Sequence, residues 1–274
     1  MNILMPMAGA GKRFADAGYA ELKPLIPTTE RRDGRQYPMA VCAMRDALLC
    51  ADEAVSLIFV IRTDHEGDIR PVLLQHYPDA AIVGVDHLTE GQACTCLLAR
   101  SSINNDEPLL IIGCDNGMVF QKEAFDAASA EADVLVFTYR HHEAVLKNPS
   151  AYGWVKVKDG TDIVTDVSVK RAISDHPMED HAIVATFWFR RGSDFVRCAE
   201  EMIEADDRVN GEFYVDQVIR YCVKNGLDTR VFEIERYIGW GTPEDYENYE
   251  NTLRYWRGFT HCAAFLPKDR GVTG

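Results

Sequence analysis

Positive charge is scarce in this chain. Lys and Arg total 29 against 43 Asp and Glu in 274 residues, a formal net charge of -14. A surface of that sign repels polyanions, which argues against nucleic acid and anionic membrane as partners. Long apolar runs are missing too, and no basic n-region precedes an apolar h-region at the start. No bilayer span or secretory leader is therefore expected, and a cytoplasmic location is. Cysteine is present, at 42, 50, 94, 96, 114, 198, 222 and 262, but never as a CxxC pair. That spacing excludes the common zinc and disulfide frameworks and leaves reduced, mostly buried thiols. Repeats, low-complexity tracts and linker-like stretches are also lacking. With 47% hydrophobic residues the chain can bury a sizeable core, and one domain over 1–257 with a small insertion is expected, followed by a tail over 258–274.

What is present centres on Met5-Pro6-Met7-Ala8-Gly9-Ala10-Gly11-Lys12-Arg13-Phe14. An apolar run from Asn2 to Met7 reads as a strand buried on both faces, and it turns abruptly into small residues and two cations. A ligand can approach backbone N–H groups only where no side chain intervenes, so this turn is suited to cradle an anion. Arg13 adds a planar fork of donors matched to phosphate oxygens. The functional reading is a grip on a triphosphate; the plain alternative is a strand-to-loop turn with solvated cations.

Strand and helix signals alternate from there. Leu22-Lys23-Pro24-Leu25-Ile26-Pro27 is expected to be extended by its two prolines, with Lys23 held in place. Residues 28–37 read as a charged, exposed loop. Pro38–Cys50, 65–77 and 92–101 read as helices, and 55–61, 80–85, 108–113 and 133–140 as strands. Gly91 opens the helix at Gln92, whose N-terminus would face the carboxyl edge of the sheet, where ligands of such sheets bind. The strand at 108–113 runs into Cys114-Asp115-Asn116. A carboxylate there needs a partner; a hard divalent cation bridging phosphates would supply one, and a helix or turn cap is the alternative. Three extended segments come next at 152–158, 162–170 and 182–191, then helices near 192–205 and 214–225, the second closed by Gly226. A strand at 229–234 leads to a last helix capped by Thr242 and Pro243 and ending near Trp256.

In this order the motifs resemble those of the sugar-phosphate nucleotidyltransferases, the nucleoside-diphosphate-sugar pyrophosphorylases, nearly end to end. Gly9-Ala10-Gly11-Lys12-Arg13-Phe14 is similar to the family's glycine-rich signature and Leu22-Lys23-Pro24-Leu25 to its Pro-Lys-Pro-Leu element. Gly91-Gln92-Ala93 resembles the Gly-Thr-Ala base turn, and Gly113-Cys114-Asp115 the Gly-Asp metal element. Tyr152-Gly153 resembles the substrate-contacting Tyr-Gly, and Gly211-Glu212-Phe213-Tyr214 the Gly-Glu-Tyr-Tyr of uridylyltransferases. Gly241-Thr242-Pro243-Glu244-Asp245 resembles the closing segment. The fold implied is α/β and Rossmann-like, a mostly parallel mixed sheet with helices on both faces and a small strand-rich insertion.

The resemblance implies in-line attack by an acceptor phosphate on the α-phosphorus of a nucleoside triphosphate, with pyrophosphate leaving. Arg13 and Lys23 would be the catalytic cations. Ala8, Gly9, Ala10, Gly11, Lys12, Thr89 and Gly91 would hold the nucleotide, Asp115 a magnesium ion, and Gly153, Lys170 and Tyr214 the acceptor. A homo-oligomer is left open. Four departures from the family pattern stand out, of which those at Thr89 and at Ser168 and Val169 touch substrate choice. Leu22 replaces a proline, and Thr89 a base-reading glutamine. Ser168 and Val169 stand where relatives carry a carboxylate before the phosphate-binding lysine. Gly239 replaces the second metal-binding aspartate, with Asp216 as a stand-in. The expected acceptor is a sugar 1-phosphate. The alternative is a cytidylyltransferase acting on a non-hexose phosphate, such as a phosphorylated amino alcohol, amino acid or modified sugar, for surface-polysaccharide decoration. From other classes, a glycosyltransferase of similar topology would need an Asp-x-Asp motif, which Cys114-Asp115-Asn116 is not, and a non-catalytic nucleotide-binding module would release no pyrophosphate.

Overall fold

A computed structural model describes residues 1–51 and 54–263. The first strand, β1 (Asn2–Pro6), is buried at all five positions, and its side chains alternate between two cores. Ile3 and Met5 face one core and Leu4 the other, as the period of a strand demands. After a short helix α1 (Lys12–Asp16) the chain forms a hairpin of β2 (Pro27–Thr29) and β3 (Gln36–Pro38), helix α2 (Met39–Ala47), strand β4 (Ser56–Arg62), helix α3 (Glu66–His76) and strand β5 (Ala81–Val85). Two short helices, α4 (Gln92–Leu97) and α5 (Arg100–Ile103), lead to β6 (Leu109–Ile111). Next come strand β7 (Asn116–Val119), helix α6 (Lys122–Glu131), β8 (Val134–Tyr139) and a turn of helix α7 (Ala144–Lys147). The strands β9 (Gly153–Val157), β10 (Val164–Val169) and β11 (His181–Phe189) precede helices α8 (Gly192–Glu204) and α9 (Val215–Lys224). Strands β12 (Thr229–Glu233) and β13 (Arg236–Gly239) and helix α10 (Pro243–Ala263) complete the described chain.

Nine strands share one sheet in the order β10-β9-β11-β6-β1-β4-β5, with β8 also on β11 and β12 on β8. The block β6-β1-β4-β5 is parallel, as helical crossovers require. Strand β11 enters antiparallel and joins this block to β8 and to the β9-β10 pair. The expected strand-rich insertion is therefore a continuation of the main sheet. Register along β11 breaks between Ile183 and Phe187, and there Ala185 takes a left-handed φ of 60°, the mark of a bulge that re-aims the strand.

Several local expectations are corrected. Residues 28–37 are exposed only in part: Arg32, Asp33, Arg35 and Gln36 are exposed, but Thr28, Thr29 and Glu30 are buried, where helix α10 folds back over the hairpin. Glu250 accepts from the Thr29 amide and hydroxyl, both at 2.7 Å, and Tyr246 and Tyr249 donate to Pro27 O and Thr29 O. Lys23–Leu25 is a 3-10 turn rather than extended chain. The helix from Gln92 breaks after Leu97. Strand β7, helix α6 and strand β13 had no periodic signal strong enough to be read; β7 and β13 pair only with each other, Asn116 opposite Gly239. The terminal helix passes Trp256 and continues to Ala263, so the expected tail begins inside it, and 264–274 lie outside the described residues. Two caps are as read. Thr242 Oγ1 accepts from Asp245 N at 3.2 Å, and Gly226, at φ 74°, ends α9 with Leu227 N bonded to Cys222 O, a Schellman closure.

Candidate active site

At the carboxyl ends of β1 and β6 lies a cavity of about 320 Å³, lined among others by Gly9, Ala10, Gly11, Lys23, Gln92 and Asp115. Ala8 is buried on leaving the strand. Among the described residues nothing stands within 4 Å of a Cβ built at Gly9, its chain neighbours aside. Among the described residues the Gly9 and Ala10 amides have no protein acceptor, so they remain available to an anion. Gly11, at φ 61°, turns the chain into α1. Lys12 and Arg13 sit on that helix and are exposed; neither lines the cavity wall, but the Arg13 charge acts on Lys23.

Lys23 Nζ donates to Asp115 Oδ2 at 2.5 Å and lies 5.6 Å from the Phe14 ring centroid. Burial works against the lysine's charge, but Asp115 more than restores it, and the net shift is upward. The carboxylate at the end of the β6 strand thus has a cation as partner, and the next element in the chain is strand β7, so it caps no helix. The thiol beside it, Cys114, is pushed up to about 12 by burial, then by Asp115, which leaves it no use as a nucleophile.

The Gly91 turn is stitched to the segment before α9. Phe213 N donates to Glu90 O at 2.8 Å and Ala93 N to Phe213 O at 3.0 Å. A Cβ on Gly91 would fall 2.4 Å from Phe213 O, and its φ is 128°, so only glycine fits. Thr89 spends its hydroxyl on this turn, bonding Gly91 O at 3.0 Å and Thr95 Oγ1 at 2.5 Å, and does not line the cavity, whereas Gln92 does. The sequence set Gln92 in the turn that resembles the base element without singling it out, and passed over His65 and Ala185, which also line the cavity. The glutamine alone carried a signal, its place at the start of a helix after glycine.

A second group forms around Gly153. The Asp216 carboxylate lies so close that a Cβ on Gly153 would sit 2.0 Å from its Oδ2. Lys170, at φ 56°, donates its backbone N–H to Tyr152 O at 3.0 Å and its ammonium to Ala151 O. The same ammonium is 5.6 Å from the Tyr214 ring centroid. A sliver of Asp216 reaches solvent, yet the protein packed around it pushes its carboxyl up to about 6, with Lys170 opposing. Lys170 acts on it by charge without an ion pair, its ammonium being bonded to Ala151 O, and the structure gathers Gly153, Lys170, Tyr214 and Asp216 separately from the Lys23–Asp115 pair.

Beside that pair runs the turn after β13. Trp240 N donates to Asp115 O at 2.8 Å, and a Cβ at Gly241 would sit 3.4 Å from Asp115 Oδ2. A Cβ at Gly239 would come 3.0 Å from the Tyr237 ring, so a side chain there requires that ring to shift by a few tenths of an ångström. Among the described residues no group of three or more His, Cys, Asp or Glu side chains could enclose a metal.

No protein-family model matches this sequence, and no curated protein matches it either. Solved structures do. A nucleoside-diphosphate-sugar pyrophosphorylase from Vibrio cholerae superposes with a TM-score of 0.71 at 18% identity, over 92% of this chain and 99% of that one. An inositol-1-phosphate CTP transferase from T. maritima gives 0.65 at 14% identity, over 92% and 96%. A provisionally named glucose-1-phosphate thymidylyltransferase from Bacillus anthracis gives 0.67 at 15%, over 92% and 95%. The chain therefore has the mixed α/β fold that these structures share, with the glycine turn, Lys23 and Asp115 at the carboxyl edge of its parallel strands.

Proposed function

We infer that the protein is a nucleotidyltransferase, which joins a nucleoside triphosphate to a phosphorylated small molecule and releases pyrophosphate. The observation that carries this is the convergence of unpartnered glycine-turn amides, a half-buried lysine and one carboxylate on a single cavity. Such a set has no nucleophile and needs none. It positions two anions and neutralises charge, which is what in-line phosphoryl chemistry asks of a protein. The Gly9 and Ala10 amides with Lys12 and Arg13 would hold the outer phosphates, and Lys23 would bridge the α-phosphate and the attacking phosphate. Gln92, which lines the cavity, would meet the base, with Thr89 and Gly91 shaping its turn.

The donor set at Asp115 suits magnesium, which binds through one or two carboxylates and completes its shell with phosphate oxygens and water. Asp115 is the residue that would hold it, and the ion would supply charge neutralisation at the α-phosphate. The three structural neighbours are named for cytidylyl, thymidylyl and nucleotide-sugar chemistry, so this fold accommodates both sugar and polyol phosphates. A sugar 1-phosphate is the acceptor that the sequence resemblance favours, and Gly153, Lys170 and Tyr214 would receive it. Pyrophosphate release should be measured for each of the four nucleoside triphosphates against a panel of sugar, polyol and amino-alcohol phosphates. Release that needs both a triphosphate and an acceptor supports the reading; none from any pair sinks it.

A further inference from the structure

A larger cavity, about 760 Å³, opens under α10 and is lined by Tyr152, Tyr237, Tyr249, His142 and Asp245, among others. Its wall is aromatic and ordered. Tyr237 stacks on Tyr139 with centroids 4.4 Å apart and planes 4° from parallel, and His142 stands edge-on to both. The Tyr139 hydroxyl is buried without a partner of hydrogen-bond geometry; the neighbouring Tyr152 hydroxyl turns to Ala144 O instead, at 3.3 Å.

The charges around these rings are unbalanced. Asp245 accepts from Thr242 Oγ1 at 2.7 Å, and neither it nor Glu143 has a cation within ion-pair distance among the described residues. Two of the three cations in the lining are committed. Arg31 closes on Asp46 with two bonds and on Met118 O, and Lys147 bonds Glu244 at 2.6 Å; Arg236 remains, exposed on its strand. His142 adds no charge: burial holds it below its ordinary value, and its Nδ1 accepts from Ala144 N. Tyrosine faces beside an unpaired carboxylate make a site for a cation with apolar substituents, since the ring quadrupole and the carboxylate attract the same charge while the rings exclude water.

This cavity adjoins the reaction site along the chain, although no residue lines both. Gly239 lines it, and the next residue, Trp240, bonds Asp115; Tyr152, which also lines it, precedes the Gly153 of the Asp216 and Lys170 group. Resting on the nucleotidyltransferase reading, we propose that this cavity receives the far end of the acceptor and that this end is a substituted ammonium group, so the acceptor is a phosphorylated amino alcohol rather than a hexose phosphate.

The test has a kinetic and a binding arm. With the triphosphate that works best, kcat/KM is measured for choline phosphate, ethanolamine phosphate and glucose 1-phosphate. Choline chloride binding is followed by calorimetry on wild type, Asp245→Asn, Tyr152→Leu and Tyr237→Leu. Expected are faster turnover of an ammonium-bearing phosphate by about 100-fold or more, and choline binding that each variant weakens roughly 10- to 30-fold. Asp245→Asn keeps a capping side chain for α10, so it tests the charge even if Tyr237→Leu fails to fold. Efficient glucose 1-phosphate turnover with no choline binding overturns this proposal and leaves the transferase reading intact. Choline binding that the variants abolish, without turnover of any acceptor, supports the cage and overturns the reaction.

Discussion

Lys23 and Asp115 are set against each other at 2.5 Å with neither fully withdrawn from solvent, at side-chain exposures of 19% and 32%. A pair in that setting can open to admit an anion on the lysine and a cation on the carboxylate without stranding a buried charge. Lys23→Ala and Arg13→Ala should each lower kcat/KM by about 10²–10³ with the far-UV circular dichroism unchanged. Wild-type turnover in either would remove that residue from the reaction. Asp115→Asn should raise the magnesium concentration needed for half-maximal rate; an unaltered magnesium curve would show that the ion does not lean on it. Asp216 offers a pH signature. Its folded-state pKa, about 6, lies above the unfolded value, so the folded protein binds the extra proton. Stability from that proton is present at low pH and lost as pH rises from about 4 to above 6. Urea midpoints of wild type and Asp216→Asn should therefore diverge across that window, with wild type losing ground as pH rises. Parallel curves would refute the shift.

At the scale of elements, the site depends on two backbone seams. One joins the Gly91 turn to Phe213, and through it to Tyr214 at the start of α9. Gly91→Ala would drive a methyl into Phe213 O and force an L residue to φ 128°. A loss of roughly 1–3 kcal/mol in urea unfolding is expected, together with weaker triphosphate binding; an unchanged midpoint would mean the turn can relax freely. The other seam is the β7–β13 pairing, which sets Gly239 opposite Asn116 and brings the Trp240 amide onto Asp115. It explains why two segments without a clear period still form strands: each is held by its partner and by the turn at its end.

For the molecule as a whole, the net charge of -14 means that anionic substrates are drawn only where the local cations of the glycine turn outweigh the general field. A triphosphate with magnesium at about 100 times its Kd should stabilise the fold by about 2.7 kcal/mol, seen as a rise in Tm that a chelator reverses. The same rise from inorganic sulfate alone would reduce the cavity to a general anion site. Helix α10 closes the architecture by clamping the β2–β3 hairpin through Glu250, so the chain's last described element covers one of its first.

What the sequence determined by itself was whatever short range decides. Alternating buried strands and amphipathic helices announced the α/β sheet, since side-chain period arises from local geometry. Gly9 to Gly11, Thr242 with Pro243, and Gly226 marked their turns and caps, because those conformations depend on the residues that occupy them. Lys23 and Asp115 could be singled out as candidates, but nothing within either segment states that the two meet, 92 positions apart. That pairing, the burial of residues 28–30 under a helix from the far end, and the commitment of the Thr89 hydroxyl to Gly91 O while Gln92 lines the cavity were decided only by tertiary structure. So was the aromatic cavity. Its walls come from loop residues 142–152, strand β13 and helix α10, and faces that distant in sequence acquire a common chemistry only when the fold brings them together.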